Sequence, residues 1–250
     1  KRIVFSGDLG NTPSPLINAT DILDKADYCV MESTYGDRLH EDLNIRKEML
    51  EDAIEGAVRA KGVLMIPAFA MERTQELLFD INTLVDQGSI PRVPTYIDSP
   101  LAIKLTSVYK KYESYYNLEA LQAMTKGDGI FNFPGLHTSL TTEESKAIND
   151  TPAPKVIIAG SGMSNGGRIL HHERRYLSDP KSAILFIGYQ AAGTLGRKIL
   201  EGAKTIKIFD EEISVNCKVI KMSGYSAHAD QAQLMNWLYP MRESLQKIFL

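Results

Sequence analysis

Short apolar runs that alternate with helical patterns constrain the fold of this chain more than any other sequence feature. The runs are rich in β-branched residues and are bounded by Gly, Pro or Asp, which is typical of buried strands. They are Arg2–Phe5, Tyr28–Met31, Val63–Ile66, Thr95–Ile97, Val156–Ala159, Ala183–Ile187 and Lys218–Met222. Because strand and helix alternate through the middle of the chain, we expect an α/β fold with a mostly parallel sheet covered by helices.

Four segments carry the three- and four-residue spacing of apolar side chains that predicts helices. They are Asn44–Ala60, Met71–Val85, Ile169–Leu177 and Gln231–Leu238. The stretch from Tyr109 to Asn149 has little strand character, and we interpret it as helices joined by loops. Further on, Thr205–Phe209 and Val215–Met222 flank a turn-like acidic segment, which predicts an antiparallel hairpin.

Composition and charge narrow the function classes. The 250 residues are 44% hydrophobic and carry a formal net charge of -3, so any anionic substrate must be held by a local basic site. No run approaches the roughly 18 apolar residues of a membrane span, and the first residues do not form a signal peptide. We therefore expect a cytoplasmic protein with no membrane partner. Cys29 and Cys217 lie in apolar runs and predict buried thiols.

Two Gly-rich turns each follow one of the apolar runs. They are Gly160–Arg168 and Gly188–Arg197. In an open α/β sheet such turns lie at the carboxyl ends of strands, where their backbone N–H groups suit a phosphate. The glycine spacing of the first turn matches neither the dinucleotide fingerprint nor the P-loop. The first turn has the alternative role of only closing a tight turn, although Arg168, Arg174 and Arg175 favour an anion.

Three isolated polar residues stand at the ends of predicted strands. They are Asp8, Glu32 and His228. Carboxylates and an imidazole at such positions can ligate a metal or transfer protons if the fold brings them together. Taken singly, each has a structural alternative: a turn former for Asp8, a hydrogen-bonded or capping carboxylate for Glu32, and a neighbour of a helix N-cap for His228.

The remaining histidines are weaker candidates as ligands. His171 and His172 are adjacent on a predicted helix, so their side chains diverge by about 100° and cannot both face one metal. His40 and His137 lie in loop-like surroundings, and we expect both to be solvated.

Seven segments occur together in one order: SGDLG, MESTYGDR, PAFAMERTQELL, YIDSPLA, AGSGMSNGGRILHH, GYQAAGTLGR and SGYSAHAD. In that order they resemble the β-CASP branch of the metallo-β-lactamase superfamily, RNA- and DNA-processing nucleases that include RNase J and the pre-mRNA 3′-end endonuclease. The resemblance implies a β-CASP domain with a Rossmann-like sheet at residues 44–203. Partial metallo-β-lactamase αββα elements would flank it at residues 1–43 and 204–250.

The resemblance also implies roles for the three strand-end residues. The aspartate that matches Asp8 bridges two zinc ions in the family. Glu32 and His228 match a catalytic pair in which the histidine protonates the leaving oxygen as a phosphodiester is cut. The zinc ions would generate hydroxide from bound water and neutralise charge on the phosphoryl oxygens.

Further positions match residues that contact phosphate in such proteins. Ser161, Gly162 and Ser226 are implied as phosphate contacts, and Arg73 and Arg197 as anion-binding or positioning residues. These assignments agree with the independent interpretation of the two glycine turns as anion sites.

The chain departs from the family pattern at its margins and at one internal position. The H-x-H-x-D-H run, a single histidine ligand and a final histidine turn are absent, and Glu72 stands where the family commonly has glycine. We therefore expect the chain to be an excerpt of a zinc-dependent hydrolase that cleaves RNA phosphodiester bonds. The complete protein would hold two Zn²⁺, whereas the excerpt would bind none tightly and would be inactive alone.

Two other functions are considered. A degenerate family member would be a non-catalytic Rossmann-like module that binds an anion or a partner, but the joint presence of Asp8, Glu32 and His228 argues against it. Hydrolysis of a small ester or lactam is disfavoured because the β-CASP domain would cap the cleft. The expected partner is RNA or another single-stranded nucleic acid, and a homodimer is compatible with the resemblance.

Overall fold

The computed structural model describes residues 1–124 and 129–250. Its strands are β1 Ile3–Phe5, β2 Tyr28–Val30, β3 Val63–Pro67, β4 Thr95–Asp98, β5 Leu136–Thr138, β6 Lys155–Ala159, β7 Ala183–Phe186, β8 Thr205–Ile208, β9 Glu211–Ser214, β10 Lys218–Lys221 and β11 Lys247–Phe249. Its α-helices are α1 Leu43–Ala60, α2 Arg73–Asp86, α3 Pro100–Tyr109, α4 Leu118–Met124, α5 Thr142–Ala147, α6 Ile169–Tyr176, α7 Leu195–Leu200 and α8 Gln231–Leu238. Residues 125–128, within the stretch predicted as helices and loops, lie outside the described residues.

A six-stranded sheet forms the centre of the molecule and confirms the predicted α/β fold. Its order is β10-β7-β3-β6-β4-β5, and every neighbouring pair is parallel. Both faces are covered, because Leu64 and Ile66 of β3 pack into one hydrophobic core and Val63 and Met65 into the other. The first core includes side chains of α1 and α2, and the second includes side chains of α6 and α7. The continuously apolar character of these strands follows from this double burial.

A smaller parallel sheet, with the order β1-β2-β11, lies beside the large one. Cys29 of β2 packs there with Leu234 and Trp237 of α8, and the Trp237 indole donates a hydrogen bond to the Asp21 carbonyl. Asp8 follows β1 and Glu32 follows β2, so both emerge at the carboxyl edge of this small sheet. The small sheet therefore positions the two carboxylates.

The hairpin near residue 210 differs from the prediction. β8 pairs antiparallel with β9, and only Phe209 and Asp210 separate the two strands. The predicted second strand, Val215–Met222, was wrong as a hairpin partner, because its central part is β10 and pairs in parallel with β7. Its apolar residue Val219 packs against the second hydrophobic core, whereas Ile213 of β9 pairs with Ile206.

Besides β9, three further short elements were not predicted. They are α3, β5 and α7. β5 is an edge strand of three residues, too short to show a period. Helix α7 has only six residues and begins at Leu195, after Thr194, whose hydroxyl caps the helix by accepting from the Arg197 N–H. Helix α3 begins with Pro100 after a Ser99 cap, and this Ser-Pro pair is a helix start signal in the sequence.

Two composition-based predictions concern the cysteines and membranes. Cys29 and Cys217 are free and buried, as predicted. In the described part of the chain, no helix combines the length and the apolar character that a bilayer crossing requires.

Two glycines near the start of β3 should respond oppositely to a methyl group. A Cβ on Gly62 would lie 1.8 Å from the Lys181 carbonyl oxygen, whereas a Cβ on Gly56, inside α1, would meet no atom within 4 Å. We expect Gly62→Ala to lower the free energy of unfolding by at least about 2 kcal/mol. Gly56→Ala should raise it by about 0.5–1 kcal/mol. Urea denaturation measures both changes in the free energy of unfolding. A Gly62→Ala protein as stable as the wild type would contradict the close packing of Gly62 against the Lys181 backbone.

Candidate active site

The structure brings Asp8, Glu32 and His228 together at the carboxyl edge of the small sheet. The Nδ1 atom of His228 lies 2.8 Å from Oε2 of Glu32 and 3.7 Å from Oδ1 of Asp8. The three residues come from distant parts of the chain, and their proximity was predicted only through the family resemblance. They form a compact site in which two carboxylates face one imidazole.

Glu32 is held firmly by its surroundings. Its side chain is 6% exposed, and its Oε1 accepts hydrogen bonds from the backbone N–H groups of Leu9, at 2.6 Å, and of Ala229, at 3.4 Å. Its Oε2 is thereby directed at His228. Since a carboxylate only accepts hydrogen bonds, it fixes the imidazole tautomer that carries hydrogen on Nδ1.

The second ring nitrogen of His228 is available for chemistry. Within residues 1–124 and 129–250, no group forms a hydrogen bond with Nε2, and the side chain is 24% exposed. The backbone of His228 is tied down instead, because its N–H donates to Ser226 Oγ and its carbonyl accepts from His40 Nε2. The ring is therefore fixed on one side and free to exchange a proton on the other.

His40 is part of the site, contrary to the prediction that it is solvated. Its ring lies 4.5 Å from that of Tyr35 in an edge-on arrangement, and its backbone N–H donates to Asp230 Oδ2. Its Nδ1 is buried without a hydrogen-bond partner in the described residues. A lone histidine in a polar loop gave no sequence signal for this position. His137 is exposed, as predicted, and stacks on Tyr96, but it lies in strand β5 and not in a loop.

A buried guanidinium connects the segment that carries His228 to the helices of the large sheet. Arg46 of α1 donates from Nη1 to Glu76 Oε2 and to the Gly224 carbonyl, both at 3.1 Å. Its Nη2 donates to Asp80 Oδ2 at 2.8 Å, and the Tyr225 hydroxyl donates to the same oxygen at 2.7 Å. Burial raises the pKa of Glu76 to about 7, although the charge of Arg46 opposes the rise. This network was not predicted, because the sequence shows Arg46 only as one of the polar residues of an amphipathic helix.

Among the residues that the structure describes, too few potential metal ligands lie together to form a zinc site. Asp8 is 68% exposed and free to reach a cation, but no group of three His, Cys, Asp or Glu side chains in the described residues is placed to hold one. A protein zinc site uses three or four such ligands. The residues present therefore do not fit a complete zinc centre, and Asp8 contributes at most one ligand.

Comparison with known proteins identifies the family. A model described as the β-CASP domain matches residues 74–199, just over half of the chain. The chain belongs to the β-CASP family. A second model, described as the Zn-dependent metallo-hydrolase RNA specificity domain, matches residues 212–250. The resemblance read from the seven segments is thus confirmed. The domain boundaries at residues 43 and 203 stay a prediction; β10, beyond the second boundary, belongs to the large sheet.

Several named proteins are similar in sequence to this β-CASP chain. Ribonuclease TTHA0252 of Thermus thermophilus is 38% identical over 238 residues, which cover 95% of this chain and 55% of the relative. An RNase J-like protein of Methanocaldococcus jannaschii is 34% identical over 243 residues, with 95% and 55% covered. The transcription termination factor FttA of Methanosarcina mazei is 29% identical over 257 residues, with 99% and 40% covered. The chain thus spans about half the length of these relatives.

The two glycine turns of the β-CASP chain meet at the carboxyl edge of the large sheet. Gln190 Nε2 donates to the Gly162 carbonyl at 2.8 Å, and Asn165 Oδ1 accepts from the Leu195 N–H at 3.0 Å. Gly162 also has a packing reason, because a Cβ there would lie 2.6 Å from the Phe69 ring. Ser161 Oγ accepts from the Asn165 N–H. The turns are therefore rigid and well placed, and their contact with phosphate stays a prediction.

The other predicted phosphate-binding residues are in varied environments. Ser226 is buried, and its Oγ accepts a hydrogen bond from the His228 N–H. Arg197 is exposed and pairs with Glu201 at 2.6 Å. Arg73 begins α2 and lies over the Phe69 ring, with its guanidinium carbon 5.3 Å from the ring centroid. Their roles as phosphate contacts likewise stay predictions.

Glu72, which stands where the family commonly has glycine, adopts a strained backbone conformation. Its φ is 64° and its ψ is -62°, and the Arg73 N–H donates to the Met71 carbonyl at 2.8 Å. This is the γ-turn with positive φ, which is rare for residues other than glycine. Burial raises the pKa of the Glu72 carboxyl, while the charges of Arg73 and His228 lower it. The family glycine was the sequence signal for this conformation.

The strain at Glu72 predicts an unusual stability order. Glycine adopts positive φ without the strain of about 1–3 kcal/mol that other residues carry there, so Glu72→Gly should be more stable than Glu72→Ala by about 1 kcal/mol. At Glu55, exposed inside α1, the same pair of substitutions should show the reverse order, because alanine favours helix. Thermal or urea unfolding of the four variants measures the order. An alanine variant at position 72 that is the more stable of its pair would contradict the strain.

Proposed function

We propose that the complete protein is a zinc-dependent hydrolase of the cytoplasm that cleaves RNA phosphodiester bonds. The observation that carries the proposal is the hydrogen bond between Glu32 and His228 beside the Asp8 carboxylate. The names of the ribonuclease and RNase J-like relatives and of the RNA specificity domain support RNA as the substrate. We propose a homodimer as its assembly, the commonest state among symmetric oligomers.

The side chains of this chain would manage the proton of the reaction. Glu32 accepts the Nδ1 hydrogen of His228 and holds the ring in one orientation. Nε2 then carries the proton that the leaving oxygen takes up when the P–O bond breaks. The same nitrogen regains a proton from solvent after the product leaves, since the His228 side chain is partly exposed.

Zinc, when bound in the complete protein, supplies a hydroxide nucleophile and neutralises phosphoryl charge. Asp8 would hold it from this chain. We propose that the remaining ligands lie outside this chain, because the described residues hold no further cluster of suitable side chains. The chain alone should then bind no stoichiometric zinc and cleave no RNA.

Substitutions in a protein that contains this chain together with the missing ligands test the roles. His228→Ala and Glu32→Ala should each lower RNA turnover by about 10²–10⁴-fold, because both remove the positioned acid. Bound zinc, measured by elemental analysis, should be retained in both. His137→Ala removes an exposed histidine and serves as the matched control.

The outcomes separate the functions considered. Retained turnover in both the His228 and Glu32 variants would contradict the proton-transfer role. A wild-type protein that binds RNA and zinc but cleaves nothing would favour the non-catalytic binding module instead.

A further inference from the structure

A polar groove of about 620 Å³ lies between α5 and α6, and none of the proposed active-site residues line it. Helix α6 lines it with side chains spaced three and four residues apart, which places them on one helix face. They are Arg168, His171, His172 and Arg175. Helix α5 and the turn after it contribute Thr142, Ser145, Lys146 and Asn149 with the same spacing. The groove is thus formed by two facing rows of hydrogen-bonding side chains.

One cation of the groove is fixed in place. Arg168 donates from Nη1 to Asp98 Oδ1 at 2.8 Å and to the Ser139 carbonyl at 3.0 Å, and from Nη2 to the Leu140 carbonyl at 3.0 Å. A guanidinium has five N–H donors, so Nε and one Nη2 hydrogen have no partner among the described residues. The side chain is 21% exposed. Arg168 therefore has two N–H donors in a fixed orientation, and little side-chain conformational entropy would be lost when a ligand binds them.

Two further cations of the groove are unpaired. Lys146 and Arg175 are exposed, and neither forms an ion pair with any residue in the two described ranges. Arg174 is neutralised by Glu211, with two hydrogen bonds of 2.7 and 2.6 Å. The groove consequently has a local excess of positive charge in a chain whose net charge is -3.

An exposed aromatic residue stands at the rim of the groove in a conformation that its side chain disfavours. The β8–β9 turn has positive φ at both central residues, 49° at Phe209 and 65° at Asp210. Two-residue hairpin turns of this kind favour Asn-Gly, because bulky residues are strained at positive φ. Phe209 is nevertheless 49% exposed, and its ring centroid lies 4.7 Å from that of His171 in the groove wall. Neither turn formation nor core packing explains this phenylalanine.

We infer that the α5–α6 groove binds single-stranded RNA, with a base stacked on Phe209 and phosphates held by Arg168, Lys146 and Arg175. Proteins that bind single strands combine such an aromatic platform with a row of cations, because every base has a stacking face and every nucleotide a phosphate. The inference rests on the proposed function for the identity of RNA as the ligand. It adds a second contact surface for the RNA strand, formed by α5 and α6 of the β-CASP domain together with the β8–β9 turn, and none of the proposed active-site residues lines it.

Phe209→Asn is the most informative variant, because it relieves the backbone strain of the β8–β9 turn and removes the aromatic ring on which a base would stack. Asparagine tolerates positive φ, so the melting temperature should be equal to or higher than that of the wild type. Binding of a fluorescein-labelled, twelve-nucleotide single-stranded RNA, measured by anisotropy in EDTA, should weaken at least about fivefold. Tyr239→Asn, at another exposed aromatic in an ordinary conformation, is the matched control and should bind like the wild type.

The cations are tested by Lys146→Ala/Arg175→Ala. Loss of two phosphate contacts should make the slope of log K against log salt shallower by about 1.4. Arg92→Ala/Lys181→Ala removes the same charge at two exposed positions just before β4 and β7 that do not line the groove, and it should keep the wild-type slope.

The outcomes distinguish this inference from the proposed function. Wild-type affinity and slope in both groove variants would overturn the groove while leaving RNA as the ligand of the main site. Weakening only in the cation variant would overturn the stacking role, and equal displacement of the RNA by polyglutamate would then overturn RNA as the specific ligand, because the groove would bind polyanions by charge alone. Absence of RNA binding by the wild-type chain would overturn the groove, whereas the proposed RNA cleavage by the complete protein is tested separately by the turnover of the His228 and Glu32 variants.

Discussion

The buried guanidinium of Arg46 is the interaction on which the rest of the site depends. It bonds to α2 through Glu76 and Asp80, and to the segment that precedes His228 through the Gly224 carbonyl. Removing one partner of such a buried ion pair leaves a charge without compensation, which costs about 3–5 kcal/mol. A Cβ on Gly224 would already lie 3.0 Å from Arg46 Cδ, so the approach is close. The helices of the large sheet thereby hold the segment before α8 that carries the His228 imidazole.

Much of the large sheet could be predicted from the sequence, because its strands are buried on both faces and read as unbroken apolar runs. The three- and four-residue spacing of apolar side chains predicted helices α1 and α2 equally clearly. The hairpin was mispredicted, since Val215–Met222 has the same β-branched composition whether it pairs with β8 or extends the sheet beside β7. The composition of a segment does not determine which of two strands it pairs with. In the folded protein, the packing of Val219 against the second hydrophobic core favours the pairing with β7.

The candidate site was predictable only where a motif matched a family. Asp8, Glu32 and His228 are separated by up to 220 positions, and no local pattern shows that they meet. His40 and Arg46 were missed because their contacts are made by tertiary packing. Glu72 and Phe209 are different: each stands where a glycine or asparagine suits the backbone, so a mismatch between residue and conformation marks both. Backbone strain of this kind tends to be retained near functional sites. A residue other than glycine or asparagine at a turn position that favours them is therefore a sequence signal for such a site.

The central claim is that Glu32 orients His228 so that its Nε2 protonates the leaving oxygen. A substrate with sulfur in place of that oxygen tests it most directly, because a thiolate leaves without a proton. In a protein that carries this chain and its missing metal ligands, single-turnover cleavage of both substrates should be compared for the wild type and His228→Ala. The account predicts a loss of at least about 100-fold on the oxygen substrate and little loss on the sulfur substrate. An equal loss on both substrates would contradict it.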